Sequence, residues 1–568
     1  MRAHLLHRAQ ASNISAVPPP AHSSDYSTDM AKAAESILYR SPLPSPSGHQ
    51  VYILDSAALP DTSEVDYDSL LPYVLARLPD EDDLVGGTAY EIIFFAGGAA
   101  EGATSTKKSR PGWGWFIQAY HVLSRAMRKR IQKLYIVHER TWVRVLAEMF
   151  STVVSPKFRR KIVHASSLSA LALHIPIENL LIPPSAYLQD RRWTPTIFSP
   201  YASGPRAFQT RQPFPTGRSG RRLPRVLRET TSFLMLADNL HTEGLFRIPA
   251  HMRLKDILRE AYDRGQKFII WKERDVALPL PPYPGAVDLE ATIRQTDQTS
   301  AYGVHIAAGL IKAWYADLRT PIVPPGSYSD LQRLVSGLPN PPSVQALADL
   351  FNPASTWSPL PVISRTILVR HLLPLLHAVA RHSADNKMTP VNLATCFAPA
   401  MVRGPDQMAD VKMSALVAGL LTQGITAWDD KDGQGTGLRE ACGLHADDFL
   451  RDIAPPTDMA EYEDPLEKAM ISVSSNVDQG GDRQQEGIVL VDGKGSGKEK
   501  EANIPPPLPP RNSQTPLAPR VVVGDAVVRP SMSGPVSPVV ASPVRRKPVG
   551  SASASASPVS PIEGGGSM

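Results

Sequence analysis

Arg247 stands between Gly244 and Pro249 in the run HTEGLFRIPA (His241 to Ala250), just ahead of an amphipathic helical pattern. A guanidinium stays charged and presents a rigid fork of N–H donors to two oxygens at once. On a stiff, exposed loop it suits the neutralisation of negative charge building on a phosphoryl group. Gly244 permits the turn, Pro249 stiffens its far side, and Leu245 and Phe246 are apolar anchors for the loop. Two further runs follow in order: HIAAGLIKAWYADL (His305 to Leu318) and NKMTPVNLATCFAPAMV (Asn386 to Val402). In the first, Lys312 lies one helical turn after Ala308. In the second, Thr389 can cap a helix, Pro390 suits its first turn, and Asn392 sits in that turn.

Other apparent chemistry falls away. Gly493, Gly495, Gly497 and Lys498 imitate a phosphate-binding loop, but the spacing is wrong and no Ser or Thr follows the lysine. The histidines lack metal-ligand spacing, so no metal is expected. Cys396 and Cys442 are the only 2 cysteines, too few for a disulfide framework or a zinc site, and they fit a reducing compartment.

The elements that must position Arg247 are helical. Val226, Leu227, Thr230, Phe233 and Leu234 make one stripe; Leu254, Ile257, Leu258, Ala261 and Tyr262 make the next, stopped by Gly265. Further helices are expected from Gly303 to Tyr315, from Ser364 to Ala380 with a kink or break at Pro374, and from Thr389 to Phe397. Upstream the pattern differs. Strands are expected at Val51 to Leu54, Tyr90 to Phe95, Leu134 to Val137 and Ile162 to His164, alternating with helices at Tyr67 to Leu78, Phe116 to Ile131 and Trp142 to Phe150. Such alternation argues for an α/β layer with largely parallel strands.

These patterns divide the 568 residues. Residues 1–35 are expected to be unstructured, 36–190 to form the α/β domain, 191–222 to be a Pro/Arg-rich linker and 223–430 an all-α domain. Residues 431–470 read as a helical extension of uncertain extent, and 471–568 as a Pro/Ser-rich tail too poor in apolar residues to build a core. The 60 basic against 55 acidic side chains leave too small an excess to imply nucleic acid as a ligand. No apolar run is read as approaching the ~20 residues of a spanning helix, and no secretion signal is evident. A cytoplasmic protein is expected.

The three runs around Arg247, Lys312 and Asn392 resemble the motifs of the RhoGAP family. The resemblance implies an activator, not itself an enzyme, that inserts Arg247 as an arginine finger into a Rho-family small GTPase and speeds its GTP hydrolysis. GTP and magnesium would belong to that partner, leaving no cofactor of this chain's own. It also implies that Lys312 and Asn392, with Gly244, support the finger loop and meet the GTPase. Where the family usually has a second bracing arginine this chain has Ala316, and Arg319 is the neighbouring candidate to replace it. A catalytically weak GTPase-binding scaffold, or a lipid-binding adaptor, is the alternative.

The α/β region is similar to a compact CRAL-TRIO domain through GWGWFIQAYHVL and the run from Leu134 through the Ser-Pro-Lys-Phe turn. That likeness implies binding of phospholipid or of a prenylated GTPase tail, and peripheral membrane association. The runs Arg125, Arg128, Lys129, Arg130, Lys133 and Lys157, Arg159, Arg160, Lys161 suit anionic headgroups or solvent. In the tail, PPPLPPR offers Pro506, Pro509 and Arg511 as an SH3 ligand on a polyproline II helix. Ser542, followed by Pro543 and Arg545, is a candidate site for a proline-directed kinase.

Overall fold

Strands β1 (Leu38–Arg40), β2 (Gln50–Asp55), β3 (Tyr90–Phe95), β4 (Ile131–Val137) and β5 (Ile162–Ala165) lie side by side in chain order. β1 runs antiparallel to β2, and the other neighbours are parallel. The computed structural model describes residues 17–97, 113–138, 155–200, 207–209, 216–217, 220–221, 223–339, 341–429 and 436–456. The helix expected at Trp142 to Phe150 and the tail with Pro506, Pro509, Arg511 and Ser542 lie outside them.

Alternation along the strands makes the sheet apolar on both faces, as a parallel sheet requires. Tyr52, Tyr90 and Ile131 meet α1 (Thr28–Ile37), α2 (Tyr67–Leu75), α3 (Trp113–Val122) and α4 (Arg125–Arg130) on one face. Val51, Ile53, Ile93, Phe95, Tyr135 and Val137 point to the other, against α5 (Leu168–Ala172) and α6 (Pro184–Asp190).

Three sequence expectations are corrected. Residues 28–37 form α1 rather than an unstructured lead, because Ser27 caps it and Ala34 and Ile37 are buried. The helix expected through Phe116 to Ile131 is two helices: Ser124, extended at φ −60°, accepts a hydrogen bond from Met127 and starts α4 afresh. The linker contributes to the core, since Phe208 is buried and its amide bonds Asp263, while Trp314 Nε1 donates to the Ala207 carbonyl.

The helical domain comprises α7 (Arg225–Leu234), α8 (Ala237–Leu240), α9 (Met252–Arg264), α10 (Val304–Ala316), α11 (Val344–Phe351), α12 (Val362–Ile367), α13 (Leu373–Arg381), α14 (Pro390–Met401) and α15 (Gln407–Thr426), with further helices at Leu289–Gln295 and Tyr328–Ser336 and several short helical turns. α12 and α13 are joined by a π-helical segment, Leu368–Leu372, directly before Pro374. Proline removes a backbone donor, and the wider turn absorbs the mismatch. The whole stretch Val362–Arg381 is long and apolar enough to cross a membrane by length and composition, but 78% of its apolar window is buried in the protein. It is core. The extension also packs: α16 (Leu438–Ala441) and α17 (Asp448–Ile453) bury Leu438, Cys442 and Ile453. Arg370 grips Asp452 through two bonds of 2.7 and 2.5 Å.

The second sheet face is completed by the helical domain. Ile257, Phe268, Ile270, Leu280 and Tyr283 share one buried cluster with the strands and with α5 and α6. Gln266, just beyond α9, enters this contact fully buried. Its Nε2 donates to the carbonyls of Ile177 and Leu180 at 3.1 and 2.6 Å, and Tyr187 donates to its Oε1 at 3.0 Å. Arg191 and Glu260 form an ion pair at 2.8 Å beside it.

The π segment carries His371, completely buried between Thr231 (2.8 Å from Nε2) and Tyr315 (2.7 Å from Nδ1). Burial pushes its imidazolium pKa down to about 3. The unfolded chain therefore takes up a proton near the ordinary value of about 6.5, while the folded chain does not. This stability is full above that value and is lost as pH falls toward 3. We expect denaturant unfolding to report a loss of about 2 kcal/mol at pH 5 relative to pH 7.5 from this group, and His371→Gln to flatten that dependence.

Candidate functional site

Arg247 occupies the loop between α8 and α9, its side chain half exposed and its guanidinium 3.7 Å from Glu243. The loop is wound tightly: the amides of Arg247 and Ile248 both donate to the Gly244 carbonyl at 2.9 Å. Gly244 has φ +71°, a conformation that favours glycine, and a Cβ there would lie 2.7 Å from the Ile248 side chain, which would have to shift. Phe246 also adopts positive φ, 65°. A non-glycine residue in that region costs about 1–3 kcal/mol, a strain persisting only where packing over-determines it. Here the packing is visible. Leu245 and Phe246 are buried, and the Phe246 ring meets Phe397 of α14 edge-on at 4.8 Å. Anchoring residues 245 and 246 inward turns residue 247 outward.

Helix α10 supports the loop from one side. Lys312 Nζ donates to the Phe246 carbonyl at 3.2 Å, fixing the peptide just before Arg247. Gly309, one turn earlier, lets α10 approach closely, since a Cβ there would lie 2.9 Å from that of Ala250.

The turn after α13 supports it from the other side. The Gly244 amide donates to the Asn386 carbonyl at 2.8 Å, and the buried Asn386 side chain donates to Leu240 and Val379 at 2.9 and 2.8 Å. His241 Nδ1 lies 2.8 Å from Asp385, with the His382 ring edge-on to it at 4.5 Å. Asn392, in the first turn of the helix capped by Thr389, donates to the Lys387 carbonyl at 3.0 Å and so holds this same turn. The structure thus gathers Gly244, Lys312 and Asn392 around Arg247. The first two touch the loop, and Asn392 acts at one remove.

Arg319 is corrected. Its Nε donates to the Gln209 carbonyl at 3.0 Å, toward the segment preceding the helical domain, and not to the loop. The end of α10 is instead tied by Arg403, which donates to the carbonyls of Ala316, Leu318 and Arg319. Cationic donors suit those unpaired carbonyls at a helix C-terminus.

Sequence reasoning missed Asn386, His241 and Asp385 as loop supports. Asn386 opens a run quoted for its motif, but His241 and Asp385 are 144 residues apart, and no periodicity links them. Because the pair is exposed, removing it should leave the fold intact. Asp385→Ala is expected to lower any reaction that depends on Arg247 about threefold to tenfold, read as a maximal rate at saturating protein.

Residues 48–192 match the divergent CRAL/TRIO domain, and residues 224–406 match the RhoGAP domain. The chain is 27% identical over 378 residues to "Rho GTPase-activating protein 1" of Homo sapiens, covering 64% of this chain and 75% of that protein. It is 25% identical over 419 residues to "Rho GTPase-activating protein 8" of Mus musculus, covering 71% and 86% respectively. "Caytaxin" of Mus musculus is 29% identical over 137 residues, covering 23% of this chain and 34% of that protein.

Proposed function

From the premise that the chain carries a divergent CRAL/TRIO domain followed by a RhoGAP domain, we propose that it activates Rho-family small GTPases by inserting Arg247 in trans. The GTPase holds GTP and magnesium; the inserted guanidinium meets the charge that builds on the transferred phosphoryl group. Arg247 needs no pocket of its own for this. It needs a fixed backbone and a free side chain. The single observation that carries the reading is that combination: a half-exposed Arg247 on a loop whose neighbouring peptides are held by Lys312 and the Asn386 carbonyl and whose Phe246 ring is seated against Phe397.

A second reading has one observation in its favour. The α10 side of the loop is braced by Lys312 while Arg319 turns to Gln209, which fits a scaffold that grips a GTPase and accelerates it weakly. Single-turnover GTP hydrolysis by a panel of Rho-family GTPases, with the full chain and with Arg247→Ala, separates the two. A scaffold gives equal slow rates with both proteins; a finger does not.

A further inference from the structure

Three helices hold the loop of Arg247, and all three are tied together at the end of α10. α9 leaves the loop, α10 carries Lys312, and α14 carries Asn392 and Phe397. The last turn of α10 has no basic residue of its own to meet its unpaired carbonyls. Arg403, two residues beyond α14, supplies one: Nη1 donates to the Ala316 carbonyl at 2.7 Å, and Nη2 donates to the carbonyls of Leu318 and Arg319. Every hydrogen bond that Arg403 makes among the described residues goes to this turn. The backbone beside it is joined as well, since the Val323 amide donates to the Met401 carbonyl at 3.0 Å, and Leu318, Ile322, Val323, Met401 and Val402 are buried. Arg259 of α9 pairs with Asp317, the residue that ends α10, at 2.8 Å.

Lys312 lies one turn before Ala316, where fraying of the α10 end would reach it. Its single bond to the Phe246 carbonyl, 3.2 Å long, comes from a flexible four-carbon stem, so it holds only while the helix beneath it stays in place. That bond fixes the peptide of a residue kept at φ 65°, a conformation that relaxes once its supports let go. A loosened Phe246 carries Arg247 with it.

We propose that Arg403 is a positioning residue for Arg247, acting through α10 and Lys312 on the Phe246 peptide. The inference rests on the reading of Arg247 as the inserted finger. Arg403 makes no hydrogen bond to the loop itself, so its effect falls on how fast a bound complex reacts and not on how tightly the complex forms. A guanidinium suits the joint, because its planar fork reaches several carbonyls at the same time.

Single-turnover GTP hydrolysis by a cognate Rho-family GTPase, at saturating full chain, tests this with a double-mutant cycle. Arg403→Met keeps much of the length of an exposed side chain and removes its charge. It is expected to lower the maximal rate about tenfold, while the dissociation constant from a binding titration moves less than about twofold. Arg403→Lys should regain part of the loss, since an ammonium still donates to those carbonyls. Lys312→Met should be at least as slow, and adding Arg403→Met to it should change nothing further, because the link through which Arg403 acts is gone. Losses that multiply in the double variant would overturn the proposal. So would an about tenfold weaker complex with an unchanged maximal rate, which would make Arg403 a contact of the GTPase. Arg247→Ala measured alongside keeps the two readings apart: a parental rate in Arg403→Met beside a slow Arg247→Ala defeats this inference alone, whereas a parental rate in Arg247→Ala defeats the finger itself.

Discussion

Arg247→Ala is expected to reduce the stimulated rate of GTP hydrolysis by a cognate Rho-family GTPase about 10³- to 10⁵-fold, with the affinity for that GTPase changed far less. The asymmetry follows from where the charge acts. In the ground state the γ-phosphate is already neutralised by what the GTPase supplies, and an added guanidinium contributes most as charge shifts in the transition state. The substitution is safe for the fold, because the side chain is half exposed and its partner in the structure is the still more exposed Glu243 at 3.7 Å. Arg247→Lys should recover little, because an ammonium lacks the planar fork that reaches two oxygens. Stopped-flow release of phosphate at saturating activator reads the effect directly. A loss confined to affinity would move Arg247 from the chemistry to the interface.

Gln266→Leu is expected to destabilise the full chain by about 4 kcal/mol, although the replacement is apolar, similar in size and far from Arg247. Gln266 satisfies three groups at once: the carbonyls of Ile177 and Leu180 and the hydroxyl of Tyr187, all in the α/β domain. Leucine fills the volume but strips the Leu180 carbonyl and the Tyr187 hydroxyl of the Gln266 bond, at about 1–3 kcal/mol each, while the Ile177 carbonyl keeps the Leu180 amide at 3.1 Å. The loss should fall on the contact between the domains. Denaturant unfolding should show it, and trypsin should cut faster at the arginines of residues 191–222 as the domains part. Gln266→Glu, which keeps an acceptor for Tyr187 but sets a buried carboxylate against both carbonyls, should lose at least as much. Unchanged stability in Gln266→Leu would mean that water replaces the amide.

Both predictions concern the ends of one helix. α9 starts at the loop of Arg247, capped by His251, and ends at Gly265 with φ 79°, where the chain turns to send Gln266 into the α/β domain. Gly265 was legible as a stop, since glycine alone adopts that conformation without cost. What lay beyond it was not. Ile257, Leu258, Ala261 and Tyr262 read as a single apolar stripe, yet Ile257 packs toward the sheet while Leu258, Ala261 and Tyr262 pack into the helical core. Periodicity reports that a face is buried but not against what.

The same limit explains the strands and the site. β3 was read to the residue, because five apolar, β-favouring residues around the single Glu91, bounded by turns, leave few alternatives. β1 was missed: three residues at a sheet edge are too short to show a period. Local chemistry is what the sequence determined by itself: the parallel α/β layer, the helical domain, the cap at Thr389, and a loop in which Gly244, buried anchors and an exposed Arg247 must follow one another. Only the tertiary structure decided which distant groups hold that loop. Lys312 reaches Phe246, the turn at Asp385 and Asn386 ties His241 and Gly244, and Arg319 goes elsewhere. The reason is physical. A turn, a cap or a stripe arises from neighbours along the chain, whereas a brace is a hydrogen bond between segments whose meeting depends on how every helix between them packs.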